Sequence, residues 1–336
     1  KAEPHVLYNR ETGMGKQLML GVAAAVFAAF AWSLGFIAPY VIGPYSIYDL
    51  AVCRFFFFCV LALGILLAAP GQLRGLTALD WLVAAWLGLI GYVGYFLTIA
   101  AAVIYAGPII PPAFVATVPV VLAIIGNFGP DRIAWRSLVP PLALALVGLL
   151  LVNAEGLTHS SDTPMGHTLL GIGFSIAAVA LWTLFGISNQ AALRKRPHMG
   201  ALTWTGMMML GGTFEVVAFI PLGLSLDLFH VPRIGLAWDT AAPLLMSALA
   251  LAVLGSIGAS WAWSIATRRL PIGLAGQLIV TETIFATTFG LIANQRWPSL
   301  SEACGITLLL VGVITAVGAF HRAQRPGALG KPQPAA

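Results

Sequence analysis

Charge is the scarce ingredient of this chain. Of 336 residues, 12 are Asp or Glu and 17 are Lys or Arg, 9% in all, where an ordinary soluble protein carries about 25%. So few ions cannot cover a folded soluble surface, which excludes a soluble enzyme and a disordered scaffold. Cysteine is rarer still. Cys53, Cys59 and Cys304 are odd in number, sit in or beside apolar runs and form no CxxC, so neither a disulfide framework nor a zinc site is implied. Histidine is missing from the apolar runs: His5, His159, His167, His198, His230 and His321 fall in expected loops, tails or span ends. Gly258-Ala259-Ser260 has the outline of a nucleophile motif, yet an intramembrane serine finds no embedded histidine base. HExxH, GxxxxGK[ST] and paired deep carboxylates are absent too. The chain therefore reads as no enzyme, with no cofactor and no nucleotide domain of its own. A net charge of +5 and a pI near 9.3 do not point to nucleic acid, because the basic residues are scattered over short loops and gather on no face.

What the chain has is apolar length. Hydrophobic residues make up 59%, and the mean hydropathy is +0.92. A bilayer core takes roughly 20 apolar residues per helix. Ten runs meet that need: Gln17–Ala38, Leu50–Ala69, Trp81–Tyr105, Ile109–Phe128, Ser137–Asn153, Thr168–Ala192, Ala201–Gly223, Thr240–Thr267, Pro271–Ala293 and Ser301–Phe320. The third and fourth are split at the short turn Ala106-Gly107-Pro108. The first run is longer than the apolar core of a signal peptide and is read as a span. The expected fold is an all-α polytopic membrane protein in contact with the lipid bilayer. With the N-terminus inside, the loops and tails on that side hold 14 of the 17 basic residues, and the other side holds only Arg54, Arg233 and Arg296. That bias predicts ten helices with both termini cytoplasmic.

The halves repeat. A shift of 150 lays Leu20, Gly21, Ala28, Trp32, Ser33 and Leu34 on Leu170, Gly171, Ala178, Trp182, Thr183 and Leu184. A shift of 163 lays Pro108-Ile109 on Pro271-Ile272, and one of 164 lays Arg132, Ser137, Leu146, Val147 and Gly148 on Arg296, Ser301, Leu310, Val311 and Gly312. The long segment Leu224–Asp239 absorbs most of the drift. Five helices per half is an odd number, so the halves must lie in opposite orientations, an arrangement that underlies alternating access in many carriers. The expected organisation is a tail at 1–16, a first five-helix repeat at 17–153, a periplasmic linker at 154–167, a second repeat at 168–320 and a Pro/Gly-rich tail at 321–336.

These residues resemble the drug/metabolite transporter superfamily, EamA type, over about 17–320. The likeness rests on Trp32-Ser33 and its copy Trp182-Thr183, Arg54 near the start of the second span, and the short turn before Pro108. Pro119, Arg132 and Gly148 complete it. Within the superfamily the chain looks closest to the YddG-like amino-acid exporters. Two positions depart from the pattern: Asp131 stands where glutamate is usual, and Glu282 stands where the repeat would place proline opposite Pro119. The resemblance implies export of amino acids, aromatic ones among them, or related small metabolites across a bacterial inner membrane, by a monomer or weak dimer with proton coupling left open. The rival is efflux of drugs or lipophilic cations. A channel is less favoured because no filter-like stretch appears, and nucleotide-sugar antiport because no deep Lys or Arg awaits phosphates.

Ionisable groups inside a membrane are costly and are functional candidates. Glu282 lies mid-span, with Gln277 and Thr281 at helical spacing beside it. It can contact a substrate ammonium or carry a proton, or be a protonated group hydrogen-bonded to a neighbour. Glu215, among bulky apolar residues, reads rather as a structural hydrogen-bonding group. Trp182 and Tyr95, then Trp32, Tyr92 and Trp263, are candidate walls for a planar or cationic ligand. Trp81, Trp135, Trp204, Trp238 and Trp297 fall near span ends and read as an interfacial belt. Pro111, Pro112 and Pro119 in the fourth span are candidate hinges, and Gly88, Gly91, Gly94, Gly255 and Gly258 candidate close-packing sites. Arg54 reads either as the partner of Asp49 in a structural ion pair or as a gate that takes a substrate carboxylate.

Overall fold

The structure is a computed structural model that describes residues 4–106, 110–129, 132–158, 165–293 and 295–323. Outside that description lie the 107–109 turn, Asp131, the 159–164 linker and the tail from 324, together with the side chains at 4–15, Pro112 and Glu215. Within lipid a backbone must satisfy its own hydrogen bonds, and helices do so segment by segment. Among the described residues nine helices are long and apolar enough to cross a membrane. The long helices are α1 (Pro4–Ser33), α2 (Ile47–Ala68), α3 (Ala78–Ala106), α6 (Trp135–Thr158), α7 (Met165–Arg194), α8 (Ala201–Ser225), α9 (Trp238–Arg269), α10 (Ile272–Ala293) and α11 (Leu300–Ala323). Between α3 and α6 lie two short helices, α4 (Ile110–Val115) and α5 (Val118–Gly126).

The fourth expected span is thus broken. The Thr117 N–H turns back to Phe114 O at 2.9 Å, and its hydroxyl bonds the same oxygen at 2.6 Å. The break lies at Ala116–Thr117, in the turn just before Pro119, which has no N–H to continue the ladder to Val115 O; within the two short helices Pro111, Pro112 and Pro119 sit in first turns. The first long helix reaches back beyond the first apolar run. The helix starts at Pro4, again with proline in the first turn, and runs on into the first span.

Side chains set several of the other starts. Ser46 and Asp49 form a reciprocal capping box at α2, and Thr77 and Asp80 another at α3. The Asn127 side chain closes the α5–α6 turn by accepting from Ile133 N at 2.8 Å and donating to its carbonyl at 3.1 Å. Arg296 grips Glu302 at 2.6 and 2.7 Å ahead of α11. Two helices are wound wide in the middle, where π-turns replace α-turns: Leu89–Val93 in α3 and Leu251–Gly258 in α9. Such turns often mark functional positions.

Packing comes in matched pairs. Helix α1 lies against α9 and α10, while α7 lies against α3 and the α4–α5 pair; α2 meets α9 as α8 meets α3. Three contacts join α2 to α8, α5 to α10 and α6 to α11. The last of these depends on glycine. A Cβ at Gly148 would stand 2.9 Å from Gly305 O, and one at Gly305 would stand 2.8 Å from Gly148 O. Small residues of this kind let backbones approach without a solvent-driven hydrophobic force.

Gly148→Ala is accordingly expected to lower the melting temperature in detergent, as overpacking costs about 1–3 kcal/mol. Gly318→Ala on α11, where a Cβ meets open space, is expected to be neutral or mildly stabilising, by up to about 1 kcal/mol. Equal shifts in a thermal-unfolding assay would show that the α6–α11 crossing is not sterically limited.

Candidate functional site

Small residues bring the centre together. Ala25, Ala28, Ala29 and Ala31 on α1 are wholly buried, so α1 can lie close to α9. Three indoles then meet. Trp32 and Trp182 stand edge to face at 5.5 Å between centroids, while Trp182 and Trp263 at 5.7 Å and Trp32 and Trp263 at 5.9 Å are tilted. Each such pair adds about 0.5–1.5 kcal/mol beyond burial. The aromatic contacts run on from Trp182 to Phe185 at 5.9 Å, to Tyr92 at 5.8 Å and to Phe58 at 5.7 Å. Phe185 fits because Gly91 has no side chain: a Cβ there would stand 2.6 Å from Phe185 Cγ, inside contact distance of the ring.

The expected aromatic residues therefore assemble, but not equivalently. Trp32, Tyr92 and Tyr95 are half-buried, whereas Trp263 is 1% and Trp182 9% exposed. Trp182 and Trp263 are buried in the contact, while Trp32 and the tyrosines keep part of their surface exposed. The indole N–H of Trp263 has no partner among the described residues. One expected belt residue was misplaced. Trp204 is fully buried, donates its N–H to Asn189 Oδ1 at 2.8 Å and carries the Arg196 guanidinium 5.1 Å above its ring. Trp135, Trp238 and Trp297 are exposed as a belt requires.

Arg54 is not the partner of Asp49. Asp49 closes its capping box and accepts from the His230 and Val231 N–H groups at 3.0 and 3.2 Å. Arg54 instead donates from Nε to Ser256 Oγ at 2.8 Å, and Ser256 donates to Leu251 O at 3.0 Å within the π-turn of α9. One turn along α9, Ser260 accepts from the Tyr92 hydroxyl at 2.9 Å. Both serines meet residues of the candidate site; the sequence singled out Ser260 only as a nucleophile outline and left Ser256 unremarked. Their i, i+4 spacing beside Gly255 and Gly258 was the available signal.

Glu282 sits mid-helix in α10, with no hydrogen-bond or ion-pair partner among the described residues, and within electrostatic reach of Tyr95. The polar strip expected beside it does not form. Thr281 turns its hydroxyl to Leu278 O at 2.7 Å, and Gln277 is wholly buried with both amide atoms unpartnered. Glu282 also marks a boundary. The ten residues Ile272–Thr281 are all buried, and none of the described residues from Glu282 to Ala293 is. The buried end is stitched shut. Gln190 donates to Thr267 O and Leu270 O at 2.9 and 3.1 Å, Arg268 to Met199 O, and Arg269 to Gln17 Oε1 at 3.0 Å. Two shallow grooves lie away from the tryptophans, one lined by Ile125, Gln190 and Arg194, the other by Val60, Gln72 and Trp261. No cluster of His, Cys, Asp and Glu that could hold a metal ion occurs among the described residues.

A comparison with known protein families finds no match. The chain is similar to inner membrane protein YtfF of Escherichia coli (strain K12), 27% identical over 309 residues that cover 90% of this chain and 96% of that one. A solved crystal structure shares the fold, with a TM-score of 0.72 at 17% identity, covering 91% of this chain and 99% of the other. The apolar helices and the inner-membrane relative together support a multi-pass inner membrane protein.

Proposed function

We propose that the chain is a secondary transporter that exports amino acids, aromatic ones among them, and related small metabolites by alternating access between two inverted five-helix repeats. The observation that carries the reading is the Trp32–Trp182 contact at 5.5 Å. Two residues 150 positions apart, equivalent under the sequence repeat, meet at the centre of the bundle, where a carrier built from inverted halves has its site. The matched helix pairs support the same repeat, with α4 and α5 together as the broken fourth of ten spans. So do the two π-turns, because a shift of 163 carries Leu89–Val93 onto 252–256, inside Leu251–Gly258. The α6–α11 crossing obeys it in detail: Gly148 faces Gly305 O, and Gly312, its equivalent under the shift of 164, faces Pro141 O.

In this reading the conformation is closed at the end where α10 begins and open at the end where it finishes. The charge bias places the closed end in the cytoplasm, so the site faces outward. Half-buried Trp32, Tyr92, Tyr95 and Glu282 line the open half, and the two buried tryptophans form its floor. Lipophilic-cation efflux remains the second reading, favoured by one feature: Glu282 is an unpaired carboxylate beside aromatic rings.

Proteoliposomes loaded with labelled phenylalanine, threonine or methionine are expected to show saturable flux. Trp182→Ala should abolish it, while Trp182→Phe, which keeps an aromatic ring on Phe185, should retain part. Movement of a lipophilic dication alone would transfer the assignment to the second reading.

Alternating access also accounts for Gln277, whose amide is stranded at the closed end and would be rehydrated when that end opens. An unsatisfied buried polar group costs about 1–3 kcal/mol. Gln277→Met is therefore expected to raise the melting temperature by a few degrees while slowing transport several-fold. A lower melting temperature would mean that the amide is satisfied in the resting state.

A further inference from the structure

We propose that Arg54 and Glu282 are the two poles of one zwitterion site, the guanidinium taking a substrate carboxylate and Glu282 the ammonium of the same molecule. The inference rests on the transporter reading and assigns the chemistry by which its substrate is selected.

The argument begins with cost. Arg54 lies in the second turn of α2, about 10 Å along the helix axis from its start. A cation at such a depth is expensive unless something of opposite charge faces it. The other arginine–carboxylate pairs are spoken for: Asp80 holds Arg196, Asp227 holds Arg233 and Glu302 holds Arg296. Asp49, five residues before Arg54, spends both oxygens on backbone N–H groups and a hydroxyl. No described carboxylate is paired with Arg54.

The guanidinium is nevertheless held. Ser256 takes Nε at 2.8 Å, and among the described residues the other hydrogen bond is a long one of 3.5 Å from Nη2 to Gly255 O. Anchoring Nε fixes the plane of the fork and leaves the Nη edge available. That edge matches a carboxylate geometrically, as a lysine ammonium would not. The tether comes from a π-turn, and Tyr92, in the π-turn of α3, is within electrostatic reach of the same guanidinium. The two widened turns thus converge on one cation.

Glu282 completes the pair. Among the described residues it too lacks a partner of opposite charge, and it lies within reach of Tyr95, three residues after Tyr92 on α3. Tyr92 and Tyr95 are separated by about 4.5 Å of helix rise. Two ionisable groups of opposite sign, neither paired with an opposite charge among the described residues, are therefore each flanked by a half-buried tyrosine on adjacent turns of one helix. A single small zwitterion neutralises both, whereas a monopolar ligand leaves one of them alone. The tryptophan floor then receives the substrate's side chain.

Labelled phenylalanine flux in proteoliposomes, competed by phenylalanine, phenethylamine and 3-phenylpropionate, tests this. For the wild-type chain each monopolar analogue is expected to compete about tenfold more weakly than phenylalanine, in line with the loss of one charged hydrogen-bonded contact. Arg54→Gln should weaken phenylalanine and 3-phenylpropionate about tenfold and leave phenethylamine unchanged. Glu282→Gln should weaken phenylalanine and phenethylamine and leave 3-phenylpropionate unchanged. Ser256→Ala, which keeps the charge and removes its tether, should shift selectivity as Arg54→Gln does but less. Melting temperatures of the purified variants identify any that fail to fold. Equal loss for all three competitors in a folded Arg54→Gln variant overturns the assignment and leaves the transporter reading standing. Absence of amino-acid flux in the wild-type chain overturns both.

Discussion

A backbone inside a bilayer has no water to fall back on, and two departures from regular helix in this bundle are tied to a local compensation. The break at Ala116–Thr117 is closed by the Thr117 N–H and hydroxyl on Phe114 O. The widened turn of α9 places Ser256 Oγ on Leu251 O, and the same hydroxyl then carries Arg54. Prolines of the fourth span stand in first turns, where no donor is needed. Irregular backbone at membrane depth survives only where protein covers it, so these places are also where polar side chains collect.

Association of the helices is governed by how closely they can approach. Alanines on α1 and the Gly148–Gly305 crossing bring backbones together, and the space released at the centre is filled by three indoles. Burial at that centre falls off along α10. The change falls at Glu282, where α10 passes from complete burial to partial exposure. An aromatic floor beneath a charged rim suits a ligand with an apolar body and ionic head groups.

Much of this was legible beforehand. Composition and apolar run length placed nine crossing helices close to their observed bounds, and the tryptophans proposed for the site do meet. The misreadings share one cause. Trp204 was assigned to the interface by its place near a span end, yet Asn189 and Arg196 draw it into the interior. Asp49 was assigned to Arg54 by proximity in sequence, yet backbone N–H groups from the segment around His230 claim it first. Thr281 was placed on a polar strip by helical spacing, yet its hydroxyl bonds its own helix. Each residue's competing partner is distant along the chain or belongs to the backbone, and neither kind is visible in periodicity.

The sequence by itself determined that this chain crosses a membrane repeatedly, because the cost of exposing long apolar runs, and of burying charge, depends on composition and length alone. It also supplied the aromatic and ionisable residues from which a site can be built. Only the tertiary structure decided which of them meet. Whether a guanidinium faces a serine or an aspartate, and whether an indole is wet or dry, depends on how closely two helices approach and how each is rotated, and that is settled by side chains hundreds of positions apart.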